Sequence, residues 1–114
     1  MATRVPTLGE FEIIVLLAVL RLGEATTLAY GSTIRDEIQR HANRRIARGA
    51  IYVTLDRLEE KGLLASRLSE GTPARDQRPK RLFKVTPGGR RSLVQALELM
   101  NRLQQGLTLS PVRR

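Results

Sequence analysis

Cysteine is absent from this 114-residue chain. That excludes disulfides, thiolate metal sites and a cysteine nucleophile, and it permits a reducing compartment. Tryptophan is absent too, and aromatic residues make up 4%, too few for a platform on which single-stranded bases stack. The core therefore has to be aliphatic. The one histidine, His41, has no His, Cys or carboxylate partner at metal-ligand spacing, so neither a metal nor a cofactor is expected. Gly88-Gly89 lacks the glycine pattern and lysine of a phosphate loop. No constellation of catalytic residues stands out, and an enzyme is not expected. The apolar run from Ile13 to Leu20, eight residues long, is too short to span a bilayer. Glu10 and Glu12 ahead of it do not belong in a signal-peptide entry region. The expectation is a cytoplasmic protein without a membrane partner.

What the chain does have is positive charge, unevenly placed. The formal net charge is +9. Residues 1–40 hold four Arg against five acids, a balance of −1, and the remainder holds sixteen Lys plus Arg against six acids, +10. Such an excess points to an anionic polymer as partner, while an acidic membrane surface or plain solubility would also accommodate it. At this length one domain with a modest core is expected.

Leu8 to Leu22 reads as a helix that is apolar on most of its circumference, with Leu8, Phe11, Val15 and Ala18 on one stripe and Ile13, Leu16, Leu17 and Leu20 beside it. Its own domain, or a second subunit, has to cover it nearly all round. Tyr30 to Ala42 reads as a surface helix burying Ile34 and Ile38, with Arg35, Asp36, Glu37, Gln39 and Arg40 in solvent. Asn43-Arg44-Arg45 acts as a turn. From Arg48 to Leu64 a third helix buries Ile51, Leu55 and Leu58 and is stopped by Gly62. Asp56, Glu59 and Glu60 fall toward solvent or a ligand.

Alternation then marks two strands, Leu64 to Leu68 and Leu82 to Val85, joined by a long charged loop over Ser69 to Pro79. Thr86-Pro87 opens a last helix to about Gln105, with Leu93, Leu97, Met100 and Leu103 on one stripe. The expected division is a helix-and-hairpin unit over 1–86, a C-terminal helix over 87–107 and a disordered tail over 108–114. The fold class is mainly α with a small β-hairpin.

This order of elements is that of a winged helix-turn-helix. In Leu8-Gly9-Glu10-Phe11-Glu12, Tyr30-Gly31 with Ile34-Arg35, Gly49-Ala50-Ile51-Tyr52 through Leu55-Asp56-Arg57-Leu58-Glu59-Glu60-Lys61-Gly62-Leu63, and Thr86-Pro87-Gly88-Gly89-Arg90-Arg91, the chain resembles the PadR-like transcriptional regulators. The resemblance implies a homodimeric, sequence-specific regulator of duplex DNA, most simply a repressor. It puts the third helix in the major groove, the hairpin wing on the backbone or in the minor groove, and the last helix between subunits. Tyr52 corresponds to the tyrosine of the family's recognition helix. The single C-terminal helix leaves little room for a separate effector domain, and a small-molecule effector of unknown identity stays open.

The early residues of a recognition helix face base edges; here they are Arg48, Gly49, Ala50, Tyr52 and Val53, with Arg44 and Arg45 in the turn before them. Arg48 is suited to guanine, the alternative being a solvated arginine. The Tyr52 hydroxyl reaches a phosphate or packs on the second helix. Arg75, Arg78, Lys80 and Arg81 arm the wing. Leu8, Phe11, Val15, Leu93, Leu97, Met100 and Leu103 are the candidate dimer contacts. Two other readings fit the same composition: an RNA-binding or non-specific architectural protein, and a winged-helix module that binds protein.

Overall fold

The computed structural model describes residues 7–70 and 78–109. Its elements run α1 (Glu10–Glu24), α2 (Gly31–Ala42), α3 (Arg48–Glu60), β1 (Leu64–Leu68), β2 (Arg81–Val85) and α4 (Pro87–Gln104). Helix α1 is the centre of the molecule. Ile13, Val15, Leu16, Ala18, Val19 and Leu22 are buried along it, and α2, α3 and the hairpin lean on it. Ile34, Ile51, Leu55 and Leu58, each without exposure, fill the space between these helices. Each such side chain contributes about 1.5–3 kcal/mol on burial, so the rotation of α3 about its axis is fixed by an aliphatic stripe.

Helix α3 ends a turn earlier than its apolar pattern suggests. Gly62 takes φ +77°, the Gly62 amide donates to the Glu59 carbonyl and the Leu63 amide to the Leu58 carbonyl, both at 2.9 Å. This is the glycine-terminated helix end that satisfies otherwise free carbonyls. Strands β1 and β2 pair antiparallel with Leu64 opposite Val85 and Leu68 opposite Arg81. The Phe83 amide also donates to the Ala29 carbonyl at 2.8 Å, which ties the hairpin to the α1–α2 connection.

Thr86 starts α4 as its sequence suggests. Its hydroxyl oxygen accepts from the Gly89 amide at 2.9 Å and donates to the Gly62 carbonyl at 2.7 Å, so the cap also stitches α4 to the α3–β1 turn. From there α4 is about 27 Å long. Gly89, Ser92 and Leu93 are buried at its start, and the face carrying Leu97, Met100 and Leu103 is exposed.

Two carboxylates are buried, and one of them departs from the sequence reading. Glu37, expected in solvent, is buried and receives Arg21 at 2.9 Å, Arg40 at 2.7 Å and His41 at 3.0 Å. The reason is spacing: Arg40 and His41 lie one helical turn on, and α1 brings Arg21 across. Glu12 is buried as well, accepting from Lys61 Nζ at 2.7 Å and from the Gly9 amide at 2.8 Å. The Arg21 hydrogen bond, opposed by burial and helped by His41 and Arg40, holds the Glu37 carboxyl below its ordinary range. Burial alone would raise Glu12, but Lys61 and the Gly9 amide outweigh it and hold Glu12 low too.

A folded-state pKa below the unfolded one adds stability that is fully present above the ordinary carboxyl range and is lost as pH falls through the folded value. Urea midpoints measured against pH will therefore fall on the acid side, and Glu37→Gln will flatten that fall while lowering the midpoint at neutral pH. A second test concerns packing. A Cβ at Gly89 would collide with the Leu63 carbonyl oxygen and lie 3.0 Å from Val85 Cγ1, whereas one at Gly88 meets nothing nearer than 3.8 Å. Backbone cannot rotate aside, so Gly89→Ala is expected to cost about 1–3 kcal/mol in urea denaturation and Gly88→Ala to be nearly neutral.

Candidate nucleic-acid interface

With Ile51, Leu55 and Leu58 turned inward, α3 presents Arg48, Gly49, Ala50, Tyr52 and Val53 outward, all exposed. Val53 is 55% exposed, an apolar side chain in water. Ala47 at the N-cap offers no side-chain acceptor, so the first turn of α3 leaves amides open at the positive end of the helix dipole. Where the helix begins is set by Ile46. This residue is buried, its amide donates to Gln39 Oε1 at 2.9 Å, and its carbonyl accepts from Arg35 Nε at 2.7 Å. Asn43 makes the turn possible by adopting a left-handed conformation at φ 55°, which asparagine tolerates better than most residues. Arg44 and Arg45 stand exposed between these two anchors.

Tyr52 lies over the start of α2. A Cβ on Gly31 would collide with the Tyr52 hydroxyl and sit 2.6 Å from its Cζ, so glycine at 31 is what lets the ring settle there. The next residue back, Tyr30, carries Lys80 Nζ 4.8 Å from its ring centroid, a cation–π arrangement. Lys80, Tyr30, Gly31 and Tyr52 thus form a chain of contacts that brings the base of the wing, the N-terminus of α2 and the first turns of α3 to one surface. Of the two roles open to Tyr52 in the sequence, the structure adopts packing on the second helix, with the ring still 43% exposed.

The wing residues separate. Arg78 is exposed. Arg81, expected to meet a partner, is exposed and makes ion pairs within the chain: Nη1 donates to Asp56 Oδ1 at 2.7 Å and Nη2 to Glu59 Oε1. Asp56 and Glu59, read from the sequence as facing solvent or a ligand, are thereby occupied. Their link to Arg81 joins residues 25 and 22 positions apart, a separation that no helical spacing reveals. Arg75 lies outside the described residues. Arg67 and Lys84 project from the opposite face of the hairpin, exposed.

The apolar candidates also divide. Val15 has no exposure and Leu93 has 2%, so both belong to the protomer's own core and not to a surface for a second copy. Leu8 and Phe11 are half-buried against that core. Leu97, Met100 and Leu103 are exposed, Leu103 to 67%. Sequence reading missed Arg35 and Gln39, which position α3 through Ile46; polar residues on the buried side of a surface helix were the available signal.

Among the described residues no cluster could hold a metal ion, and no helix is long and apolar enough to cross a membrane. A family model for the PadR-like transcriptional regulators matches residues 16–95. The transcriptional regulator Rv3488 of Mycobacterium tuberculosis is 37% identical over 68 residues, 58% of this chain and 57% of that protein, so the match spans little more than half of that relative. A PadR-like transcription factor from Bacteroides fragilis superposes with a TM-score of 0.68 at 23% identity, covering 83% of this chain and 84% of the other. A PadR family regulator from Eggerthella lenta gives 0.62 at 28% identity, covering 79% and 76%. With four helices and a hairpin wing among its described residues and a family match across more than half its length, the chain belongs to the PadR-like family of transcriptional regulators.

Proposed function

We propose that this protein is a cytoplasmic, non-catalytic regulator that binds duplex DNA sequence-specifically as a homodimer and acts as a repressor, since occupying a promoter is enough to exclude another protein. The observation that carries this reading is the single surface on which the outward face of α3 meets the wing base at the start of α2. An α-helix fits the major groove of B-form DNA. There Arg48 would donate two hydrogen bonds to guanine, Val53 and Ala50 would touch thymine methyls, and Gly49 would allow close approach. Arg44 and Arg45 on one side and Arg78 and Lys80 on the other would meet phosphates, which set register and carry no sequence information. Tyr52, held on Gly31, would add its hydroxyl to the backbone contacts. The division of the chain follows: residues 1–86 read DNA and α4 pairs the subunits.

Support for dimerisation comes from α4. Beyond Ala96 its apolar side chains Leu97, Leu99, Met100 and Leu103 are exposed, and such a stripe on a projecting helix calls for a cover. A twofold dimer would place two copies of α3 about 34–36 Å apart, one duplex turn. Any effector would be a small molecule; a groove of about 450 Å³ between the end of α1 and the hairpin, with Arg67, Lys84 and Arg90 at its rim, has the size for one.

Selection of bound fragments from random duplexes tests the reading and should return paired half-sites at that spacing. On the selected site Arg48→Ala is expected to cost about 1–3 kcal/mol and to relax preference at one or two base pairs. Arg78→Gln should weaken all sequences alike and lower the slope of log affinity against log salt by about 1. An unchanged sequence preference in the Arg48 variant would refute the docking. Leu103→Glu should shift the protein toward a monomer in sedimentation equilibrium without lowering its helix content.

A further inference from the structure

The wing has few attachments to the reading helix. It leaves α3 through Gly62, whose φ of +77° needs no side chain, and rejoins the body at Thr86. Among the described residues the hairpin pairs two strands, and a pair of strands by itself is a weak structure. Two polar side chains of the hairpin span the gap, Arg81 and Ser66. Arg81, the first residue of β2, donates from Nη1 to Asp56 Oδ1 at 2.7 Å, from Nη2 to Glu59 Oε1, and from Nε to Ser66 Oγ at 3.3 Å. The Ser66 hydroxyl in turn donates to Glu59 Oε2 at 2.7 Å, and the guanidinium lies 4.8 Å from the Phe83 ring centroid. Both strands and two successive turns of α3 are joined through one planar cation.

We infer that Arg81 is a positioning residue, a latch that sets the angle of the wing to α3 and cancels the charge of Asp56 and Glu59, so that Arg78 and Lys80 reach the phosphates while Arg81 does not. The inference rests on the DNA-binding reading for its consequence and on geometry for its substance. An isolated exposed ion pair contributes little, because ordering two long side chains offsets the attraction. Here one arginine serves two carboxylates and a hydroxyl, and a guanidinium offers its donors in a fixed fork. The Ser66 hydroxyl first and Arg81 second hold the Glu59 carboxyl low, and the Asp56 hydrogen bond raises Arg81, so Glu59 and Arg81 stay oppositely charged across the physiological range. Without the cation, two carboxylates on α3 would stand where a phosphate backbone is to approach. A phosphate-contacting arginine and a latching arginine therefore make opposite demands on Asp56 and Glu59.

The experiment compares Glu59→Gln, Asp56→Asn, Arg81→Gln and Arg78→Gln in the full chain, with thermal melts to confirm folding. Affinity for a selected duplex is measured against salt. Because the chain has no cysteine, nitroxides placed at Glu60→Cys and Glu70→Cys report the distance between α3 and the wing by double electron–electron resonance without DNA. The latch predicts that Glu59→Gln and Asp56→Asn each weaken binding roughly three- to tenfold although each removes a negative charge. It also predicts that Arg81→Gln weakens binding by a similar factor with the salt slope unchanged, unlike Arg78→Gln, and that the distance distribution broadens in the Arg81 and Glu59 variants. Tighter binding after neutralising either acid, a slope lower by about 1 in Arg81→Gln, or an unaltered distance distribution would each overturn it. Failure of the unmutated protein to bind any duplex would sink the DNA-binding reading and, with it, the role of Arg81 in presenting the wing; the spin-label distances alone would then still decide whether the latch exists.

Discussion

Everything the outer surface offers depends on how α3 is rolled against α1. Ile51, Leu55 and Leu58 have no exposure, and a rotation that freed one of them would cost about 1.5–3 kcal/mol for that side chain alone. The roll fixes which residues look outward, but it leaves α3 free to slide along its axis. Ile46 removes that freedom. It is held through its amide by Gln39 and through its carbonyl by Arg35, so the helix begins at a set height above α2. Roll and height together place Arg48, Tyr52 and Val53, and none of the residues that place them belongs to the surface itself.

Charge is organised by the same division between what is fixed and what is free. The acids that the fold buries or half-buries each collect bases: Glu12 takes Lys61, Glu37 takes Arg21, Arg40 and His41, and Glu59 shares Arg81 with Asp56. Arg44, Arg45, Arg48 and Arg78 have no ion pair among the described residues. These free cations lie in the turn before α3, in its first turn and at the wing. Among the described residues Arg67 and Lys84 on the other face of the hairpin and Arg90, Arg91 and Arg102 on α4 have no ion pair either, so the net charge of +9 is not confined to one surface, but the cations around α3 and the wing lie where the proposed partner would dock, the arrangement that raises on-rates for a polyanion.

The helices and the hairpin were legible in the sequence because each follows from local periods and caps: the 3.6-residue stripe of Ile51, Leu55 and Leu58, the alternation of Leu64 to Leu68, the glycine at 62 and Thr86-Pro87. The outward face of α3 followed from the same stripe by subtraction. What the sequence did not disclose were contacts between distant positions. Arg81 looked like one more cation in a basic cluster, since nothing local relates it to Asp56 and Glu59. Glu37 looked like a solvated charge on a polar helix, and only the approach of Arg21 from α1 makes its burial tolerable. Val15 and Leu93 sat on plausible apolar stripes, but a stripe states that a face is covered and not by what. Tyr52 depended on the missing side chain at Gly31, and an absence at one position says little until its neighbour in space is known.

That ambiguity of stripes has a physical resolution in α4. Leu93 and Leu97 share a face, one turn apart, yet the first is 2% exposed and the second 38%. The boundary falls where the body of the domain ends: Leu93 still lies over the core that Phe83 and Val85 complete, and past Ala96 the helix has run beyond it. A helix carried past its own core by a capped start and a run of residues without an interior helix breaker after Gly89 keeps its period but loses its cover. The exposed half is therefore not a failure of packing in a small protein. It is the continuation of a core stripe past the body that the described residues form, where the proposed second copy would supply the other side, and α1 has half-buried residues of its own, Ile14 and Leu17, along an apolar cleft of about 260 Å³ with Ile38. One stripe of leucines thus serves two purposes in sequence, first holding α4 to the wing strands and then presenting it to the proposed second copy, so the geometry of that pairing is inherited from the same cap at Thr86 that anchors the wing.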